Sequence, residues 1–210
     1  MKQYNNWYVP DKETTGIRDI IKEWNNKGKA VVDMLPQHRT VVQAGGNLGV
    51  FPKGLAKYFD RVITFEPIQS NLECLVKNID NIENIDVHNY ALGAENTQAS
   101  FKSTIQGNCG ATQIAFSTQG NIPVIPLDSL ELEDVDLLWL DVEGTEVEAI
   151  NGAIETIERC RPIIVAENNG LIPAYPSGLE GSPGFRSWVE HTFGYVYTGR
   201  LMRDDIFKPV

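Results

Sequence analysis

The sequence predicts an α/β protein whose doubly wound, mostly parallel sheet ends on an antiparallel strand. Short β-branched runs alternate with amphipathic helical segments along most of the chain, which is typical of βαβ units. The run Val135–Asp141 is almost continuously apolar, as expected of a parallel strand that helices cover on both faces. Two β-like pieces at Tyr195–Arg200 and Asp205–Lys208 follow each other closely, which favours a terminal antiparallel hairpin.

The chain of 210 residues is long enough for one domain with a sizeable core. We expect a single domain over 1–210, with a helical extension at 1–38, a cofactor-binding core at 39–168, and a C-terminal loop, helix and hairpin at 169–210. In the extension, apolar residues at helical spacing predict a helix from about Ile17 to Trp24. The polar stretch Asn25–Gly28 is expected to end this helix, and a second short helix is expected around Ala30–Leu35.

The first half of the core alternates predicted strands and helices. The predicted strands are Thr40–Ala44, Arg61–Glu66 and Ile85–Leu92. A helix follows the first strand and has Pro52 in its first turn, where proline is tolerated. A second helix follows the second strand, and Ser70 and Glu73 have the spacing of a capping box at its start.

The second half of the core is less regular. Two β-like pieces, Gln98–Ile105 and Asn121–Ile125, flank a polar loop at Gln106–Gly110. Thr145 begins a second capping-box pattern, and the apolar residues after it predict one helix through Ile157. The remaining predicted elements are a buried strand at Pro162–Glu167, a Gly/Pro-rich loop at Gly170–Gly184 and a helix at about Phe185–Thr192.

The turn Gln43–Gly49 after the first predicted strand points to a bound nucleoside. Glycines there let the backbone approach a ligand, and Glu66, at the end of the second strand, offers a carboxylate to a ribose diol. Ala44 stands where a dinucleotide fingerprint has its first glycine, so the spacing does not fit a nicotinamide-binding motif cleanly. A glycine turn also serves packing alone, and a strand-end acid can be a solvated loop residue, so the two features are informative mainly together.

The net charge of −10 weighs against a protein that grips phosphate backbones. No basic stripe is visible in the sequence, so we expect neither a nucleic-acid partner nor an anionic membrane surface. No apolar run approaches the length of a membrane span, and the first residues lack a signal-peptide pattern. Cys74, Cys109 and Cys160 form no C-x-x-C pair, which predicts reduced thiols and a cytoplasmic location.

Six short blocks, in order and reasonably spaced over about residues 40–168, resemble the FkbM-type methyltransferase family. They are Gln43–Gly49, Phe65–Pro67, Ala91–Gly93, Leu127–Asp128, Trp139–Glu146, and Arg161–Pro162 with Glu167. The block Asp141–Glu146 and the Phe-Glu-Pro block are the most specific. The resemblance implies a class I Rossmann-like fold and an enzyme that uses S-adenosylmethionine (SAM). It also implies an acceptor of the family's usual kind, a hydroxyl oxygen of a small molecule or sugar.

The resemblance and the strand ends together indicate the site residues. The expected cofactor-binding residues are Gln43, Gly45, Gly46, Asn47, Gly49, Glu66, Pro67, Asn71, Tyr90, Ala91, Leu92 and Asp141. In this hypothesis the glycine turn holds the methionine end of SAM, Glu66 the ribose, and the segment around Tyr90 the adenine. Asp141 and Glu143 are the catalytic candidates, and Asp141 is preferred as the proton acceptor because it ends the strand beside the glycine turn. Asp141 could instead only cap the next helix, and Tyr90 could be a core residue.

Two positions depart from the family pattern. Gln43 stands where the family has an acid that orients the cofactor's ammonium group. This departure predicts weaker SAM binding without its loss, since an amide oxygen still accepts a hydrogen bond. Trp139 stands where the family has a lysine, which implies a different acceptor or reduced activity. A SAM-binding or interaction domain without transferase activity is therefore one alternative.

Two further alternatives concern the chemistry. Asp141 together with Glu167, Asn168 and Asn169 offers hard oxygen ligands of the kind that Mg²⁺ prefers, so metal-assisted transfer is a variant of the main hypothesis. A nicotinamide-dependent oxidoreductase would share the α/β fold. The glycine spacing and the specific acidic block both disfavour that second reading.

Overall fold

The computed structural model describes residues 1–13, 16–105, 107–172 and 184–210. The strands are β1 (Lys2–Tyr4), β2 (Trp7–Val9), β3 (Thr40–Ala44), β4 (Arg61–Phe65), β5 (Ile85–His88), β6 (Ala91–Leu92), β7 (Thr97–Ile105), β8 (Asn108–Phe116), β9 (Ile122–Ile125), β10 (Val135–Leu140), β11 (Ile163–Glu167), β12 (Tyr195–Leu201) and β13 (Asp204–Pro209). The α-helices are α1 (Gly16–Val32), α2 (Val50–Leu55), α3 (Gln69–Asn78), α4 (Glu146–Asn151), α5 (Ile154–Cys160) and α6 (Phe185–Phe193). Most of the predicted loop Gly170–Gly184, and Gln106 of the predicted polar loop, lie outside the described residues.

Within these ranges the central sheet has the strand order β12–β13–β11–β10–β3–β4–β5. The strands β3, β4, β5, β10 and β11 run parallel, and β13 is antiparallel to both β11 and β12. Leu140 pairs with Ala44 on one side and with Ala166 on the other, so the carboxyl ends of three strands meet at one edge. The predicted fold class, a doubly wound Rossmann-like sheet with an antiparallel C-terminal end, is confirmed.

Helices cover both faces of this sheet, because alternate strand residues face opposite sides. On one face, Val42, Ile63 and Leu138 share a core with residues of α4, α5 and α6. On the other face, Val41 and Trp139 pack with residues of α1 and α2. This double cover explains the nearly continuous apolar runs in the central strands.

A second sheet, in the order β6–β9–β7–β8, was not expected. A single strand at Ile85–Leu92 was predicted, but β5 joins the central sheet and β6 pairs with β9 in the second. A polar loop was predicted at Gln106–Gly110, but β8 starts at Asn108 and pairs with β7. Both predictions were wrong for the same reason: strand pairing depends on partners distant in sequence, which local polarity does not reveal.

The N-terminal helix α1 runs unbroken to Val32, so the predicted break at Asn25–Gly28 is wrong. Gly28 is a packing residue, since a Cβ there would lie 2.5 Å from the Trp24 ring. Close packing outweighs the low helix propensity of this glycine. Ahead of α1, the strands β1 and β2 form an antiparallel hairpin that the prediction of a helical extension did not include.

Neither predicted capping box forms. Helix α3 follows Ile68 as its N-cap, so Ser70 lies inside the helix. Thr145 precedes α4, but its hydroxyl donates to the carbonyl oxygen of Val142 (3.2 Å) and does not cap the helix. The single helix predicted after Thr145 is divided into α4 and α5, with Gly152 between them.

Candidate active site

A cavity of about 650 Å³ opens at the carboxyl ends of β3, β4 and β10, where ligands bind in doubly wound sheets. Residues of α1 and β8 complete its walls. The predicted site residues that line it are Gly45, Asn47, Glu66, Pro67, Asn71, Tyr90, Ala91, Leu92, Asp141 and Glu143. The predicted residues that do not line it are Gln43, Gly46 and Gly49. The two glycines among these lie against α3.

The turn after β3 brings two strand ends into close contact. Gly45 has a φ of +90°, and a Cβ there would collide with the main-chain carbonyl oxygen of Asp141, so this position requires glycine. Asn47 also has a positive φ, +47°. This conformation directs its main-chain N–H to the Glu66 carboxylate (2.7 Å). The turn therefore connects β3, β4 and β10 at the cavity wall.

Glu66 directly follows β4, and its carboxylate faces the cavity. Its two oxygens accept hydrogen bonds from the main-chain N–H groups of Asn47 (2.7 Å) and Ile68 (2.8 Å). Burial raises the pKa of Glu66 to about 7, although these hydrogen bonds act in the opposite direction. Each carboxylate oxygen has a further lone pair, so Glu66 can still accept hydrogen bonds from a ligand.

The buried side chain of Gln43 lies behind the glycine turn. Its amide nitrogen donates to the carbonyl oxygens of Ala44 (3.2 Å) and Gly45 (3.0 Å). Its amide oxygen accepts a hydrogen bond from the hydroxyl of Thr64 (2.7 Å). Both ends of the amide are thus used to hold the turn in shape.

Three carboxyl side chains form a row across the edge of the sheet. Asp141 follows β10, Glu167 ends β11, and Asp204 begins β13 as the register partner of Glu167. Arg203 contacts Glu167 (Nε to Oε1, 3.1 Å), and Lys27 contacts Asp204 (Nζ to Oδ2, 2.6 Å). Burial raises the pKa of Asp141, and burial together with the Asp141 charge raises the pKa of Glu167. The row therefore tends to retain a proton.

Lys27 is a buried charge behind the site that the sequence analysis missed. Its fully buried ammonium group lies 2.8 Å from Glu23, and over the rings of Phe51 (5.2 Å) and Trp139 (5.7 Å). Helix α1 thus brings a lysine charge next to Trp139, the position at which the family pattern has a lysine. The available signal was a lysine three residues after Trp24, on the otherwise apolar face of the helix.

The loop between β10 and α4 carries the second catalytic candidate. Glu143 has a φ of +56°, a conformation that is sparsely populated for residues other than glycine. The Glu146 carboxylate accepts hydrogen bonds from the N–H groups of Val142 (3.2 Å) and Gly144 (3.3 Å) and so holds the loop. Burial, and then the charge of Asp141, raises the pKa of Glu143 to about 7. Backbone strain next to a cavity is typical of functional residues.

The hairpin of β7 and β8 forms a cavity wall that the sequence did not predict. Residues Asn108–Ile114 of β8 line the cavity. Asn71 donates a hydrogen bond from its side chain to the carbonyl oxygen of Cys109 (3.2 Å). The N–H of Cys109 in turn donates to the carboxylate of Glu13 (2.8 Å), just before α1. Asn71 therefore both lines the cavity and fixes the hairpin above it.

A cluster of carboxylates beside the cavity offers oxygen atoms of the kind that Mg²⁺ takes as ligands. One oxygen from each of three side chains lies within 4.8 Å of the others: Glu23, Asp141 and Glu167. Cationic side chains already contact this cluster, with Lys27 2.8 Å from Glu23 and Arg203 3.1 Å from Glu167. Of the other predicted ligands, Asn169 already accepts a hydrogen bond at its amide oxygen from the N–H of Leu171 (3.0 Å), and Asn168 donates its side-chain N–H to Asp205 (2.7 Å). These residues do not fit a resident Mg²⁺ site, which needs open oxygen ligands.

A model of the FkbM methyltransferase domain matches residues 45–181, well over half of the chain. The chain belongs to the FkbM methyltransferase family. The match confirms the resemblance seen in the short sequence blocks. The matched range runs from the glycine turn at Gly45 past the Asp141 loop and the end of β11.

Solved structures share the fold of this family member. Methyltransferase FkbM from Methylobacillus flagellatus KT aligns with a TM-score of 0.54 and 18% identity, over 81% of this chain and 43% of that chain. A methyltransferase from Geobacter sulfurreducens aligns with a TM-score of 0.50 and 14% identity, over 92% of this chain and 86% of that chain. A fibrillarin/Nop5p complex aligns with a TM-score of 0.51 and 18% identity, over 89% and 80% of the two chains. The chain thus spans less than half the length of the first of these structures.

No curated protein matches the sequence. All three cysteines are free thiols. In the described ranges, none of the helices has both the length and the apolar character needed to cross a membrane.

Proposed function

We propose that this FkbM-family protein is an enzyme that transfers a methyl group from SAM to a hydroxyl oxygen of a small polar molecule or a sugar. The observation that carries the proposal is the Glu66 carboxylate, which two main-chain N–H groups hold at the cavity wall beside the Gly45 turn. A ribose diol donates two hydrogen bonds to a carboxylate placed in this way. Family membership supports methyl transfer as the reaction.

The cavity residues divide among the parts of the cofactor. Glu66 accepts hydrogen bonds from the ribose hydroxyls. Pro67 and Asn71 lie with the segment Tyr90–Leu92 on the side where we place the adenine. The turn from Gly45 binds the methionine end, and Gln43 supports that turn from behind. When bound, SAM supplies a methyl group on a sulfonium, whose carbon–sulfur bond breaks towards sulfur as the acceptor oxygen bonds to the methyl carbon.

Asp141 is the proposed acceptor of the hydroxyl proton. Burial raises its pKa, and a carboxylate with a raised pKa is a better proton acceptor. The nearby charge of Lys27 acts in the opposite direction and limits this rise. Glu143, in its strained loop, is proposed to bind the acceptor close to Asp141. Alignment of the reacting groups supplies at most about 7–11 kcal/mol, and proton transfer adds roughly 10²–10⁴-fold.

We propose that the transfer proceeds without a resident metal, because Lys27 and Arg203 already contact the carboxylates that would bind one. The test is the transfer rate before and after exhaustive chelation. Unchanged activity supports the proposal. Loss of activity that added Mg²⁺ restores would reinstate the metal-assisted variant.

The acceptor is proposed to be small and the protein cytoplasmic. The net charge of −10 and the acidic cavity disfavour a phosphate backbone as substrate. Free cysteines are typical of a reducing compartment.

A thermal-shift panel with SAM, S-adenosylhomocysteine, NAD and NADP tests the proposed function. SAM and S-adenosylhomocysteine should stabilise the fold by roughly 2.7 kcal/mol at a hundred times the dissociation constant. Stabilisation by NAD alone would replace the proposal with an oxidoreductase. If SAM binds but labelled methyl reaches neither hydroxylated sugars nor small phenols, the domain without transferase activity is favoured.

A further inference from the structure

The cavity continues outward between α1 and the turn that joins β12 to β13. A shallower hollow of about 470 Å³ shares three lining residues with the main cavity. We call this hollow the acceptor groove, and its residues are Asp19, Lys22, Glu23, Met202 and Arg203. The groove contains no residue from the ends of β3, β4 or β5, which we assigned to the cofactor. It therefore adjoins the part of the main cavity that the proposed cofactor site leaves free.

The cations close to Asp141 are already shared among carboxylates. Arg203 lies 3.5 Å from Glu23 and 3.1 Å from Glu167. Lys27 is buried against Glu23 and a second acid. In contrast, Asp19 and Glu143 form none of the ion pairs found among the described residues. Both line the main cavity, and an incoming cation would favour the ionised form of Glu143, whose pKa burial raises to about 7.

The charge of the main cavity is unbalanced. The acidic side chains that line it are Asp19, Glu23, Glu66, Asp141 and Glu143. Arg203 lines it as a cation, and it is already paired. SAM itself carries one net positive charge, fewer than the number of acids that line the cavity. Burial raises the pKa of Glu66 and of Glu143 to about 7, so a further cation would favour their ionised forms. A phosphorylated or carboxylated acceptor would be repelled, and a cationic one attracted.

We propose that the methyl acceptor carries a cationic amine near its hydroxyl group, as amino sugars and amino alcohols do, and that Asp19 and Glu143 bind this amine. The inference rests on the proposed function and narrows its acceptor class. Both residues act on specificity, because they contact the amine and leave Asp141 free to accept the hydroxyl proton. The exposed position of Asp19 makes it replaceable without damage to the core.

The test compares two probes that differ in one charge. Glucosamine and N-acetylglucosamine share their remaining hydroxyl groups, and only the first has a protonated amine. We would titrate each into the full chain loaded with S-adenosylhomocysteine, near neutral pH, by calorimetry or NMR. Glucosamine should bind roughly two- to fivefold more tightly, the range of an exposed ion pair. The preference should shrink as salt rises, and glucose 6-phosphate should bind most weakly.

Three variants assign the effect to the named residues. Asp19→Asn and Glu143→Gln should each reduce the preference for glucosamine. Glu158→Gln removes the same charge from an exposed position on α5 that does not line the cavity, and it should leave the preference intact.

Equal affinities for the two sugars, a preference for the N-acetyl form, or no measurable glucosamine binding would overturn the inference. A preference that survives in both variants would overturn the assignment to Asp19 and Glu143. If S-adenosylhomocysteine binds while the amine preference is absent, only the acceptor class is wrong. If it does not bind at all, the proposed function fails as well.

Discussion

In the cofactor half of the cavity, around Gly45 and Glu66, carboxylate oxygens are paired with main-chain N–H groups. In the acceptor half, around Asp141, Glu143 and the acceptor groove, carboxylates lie beside other carboxylates and share a few cations. The contrast follows from the backbone. The turns after β3 and β4 provide the N–H groups of Asn47 and Ile68 at fixed positions, whereas the ends of β10 and β11 place acidic side chains next to one another.

This difference indicates how one sheet edge can serve both binding and chemistry. A carboxylate that is hydrogen-bonded to main-chain N–H groups is already held in place before a ligand binds. In the acceptor half the charge of Asp141 adds to burial in raising the pKa of Glu143 and Glu167, so these acids favour protons or cationic ligands. We therefore expect changes in the cofactor half to alter SAM affinity, and changes in the acceptor half to alter turnover and acceptor choice.

The largest effect should come from Glu66→Ala, which breaks the cofactor half. The variant removes the proposed acceptor of the ribose hydroxyls and leaves two main-chain N–H groups without their carboxylate. Hydrogen bonds to a charged group contribute about 1.5–3 kcal/mol each, so SAM affinity should fall by more than about a hundredfold. Calorimetry measures the change. Glu83→Ala, an exposed acid in a loop, is the matched control and should bind SAM normally. Normal binding by Glu66→Ala would place the cofactor elsewhere.

Asp141→Asn tests the acceptor half. The substitution keeps the shape of the side chain but removes the proton acceptor, so the transfer rate should fall by about a hundredfold or more. The melting temperature should stay nearly constant, because the substitution only removes one negative charge from a row of neighbouring acids. The control Asp80→Asn, at an exposed position after α3, should transfer at the wild-type rate. If Asp141→Asn also transfers at that rate, Asp141 only positions the cofactor or the following loop.

Gln43→Asp tests the support that residue 43 gives to the glycine turn in the cofactor half. From the family pattern alone, an acid here would be expected to strengthen SAM binding. The structure predicts weaker SAM binding and a less stable fold. Aspartate cannot donate to the carbonyl oxygens of Ala44 and Gly45, so the support behind the turn is lost. A buried group left without its partner costs about 1–3 kcal/mol of unfolding free energy. Chemical denaturation measures this loss. Unchanged stability together with tighter SAM binding would show that residue 43 faces the cofactor.

The stability of the fold and the affinity for SAM should depend on pH with opposite signs. Burial raises the pKa of Glu66 from its ordinary value of 4.5 to about 7 in the folded protein. The stabilisation this group contributes is therefore complete below about pH 4.5 and is lost as pH rises through about 7. SAM binding should instead strengthen over this range, by up to about tenfold per pH unit, because the ribose needs the ionised carboxylate. In Glu66→Gln both slopes should become shallower, as unfolding and calorimetry at several pH values would show.

Sequence patterns predicted the central sheet well, because nearly continuous apolar runs such as Val135–Leu140 are typical of strands buried on both faces. They also indicated Glu66 and Asp141, which end strands beside the glycine turn. They did not reveal the second sheet or the buried Lys27, since these depend on contacts between distant segments. A lysine on an apolar helix face is read as solvated unless the acids that surround it are known. The sharing of charge among the ends of β10, β11 and β13 likewise becomes visible only when the strand order is known.

The most direct test of the account is a crystal structure of the full chain with S-adenosylhomocysteine. The account predicts both ribose hydroxyls within hydrogen-bond distance of the Glu66 carboxylate. It also predicts adenine against the segment Tyr90–Leu92, and sulfur on the side of Asp141. A nucleoside bound elsewhere, or a ribose that makes no contact with Glu66, would contradict the division of the cavity into cofactor and acceptor halves.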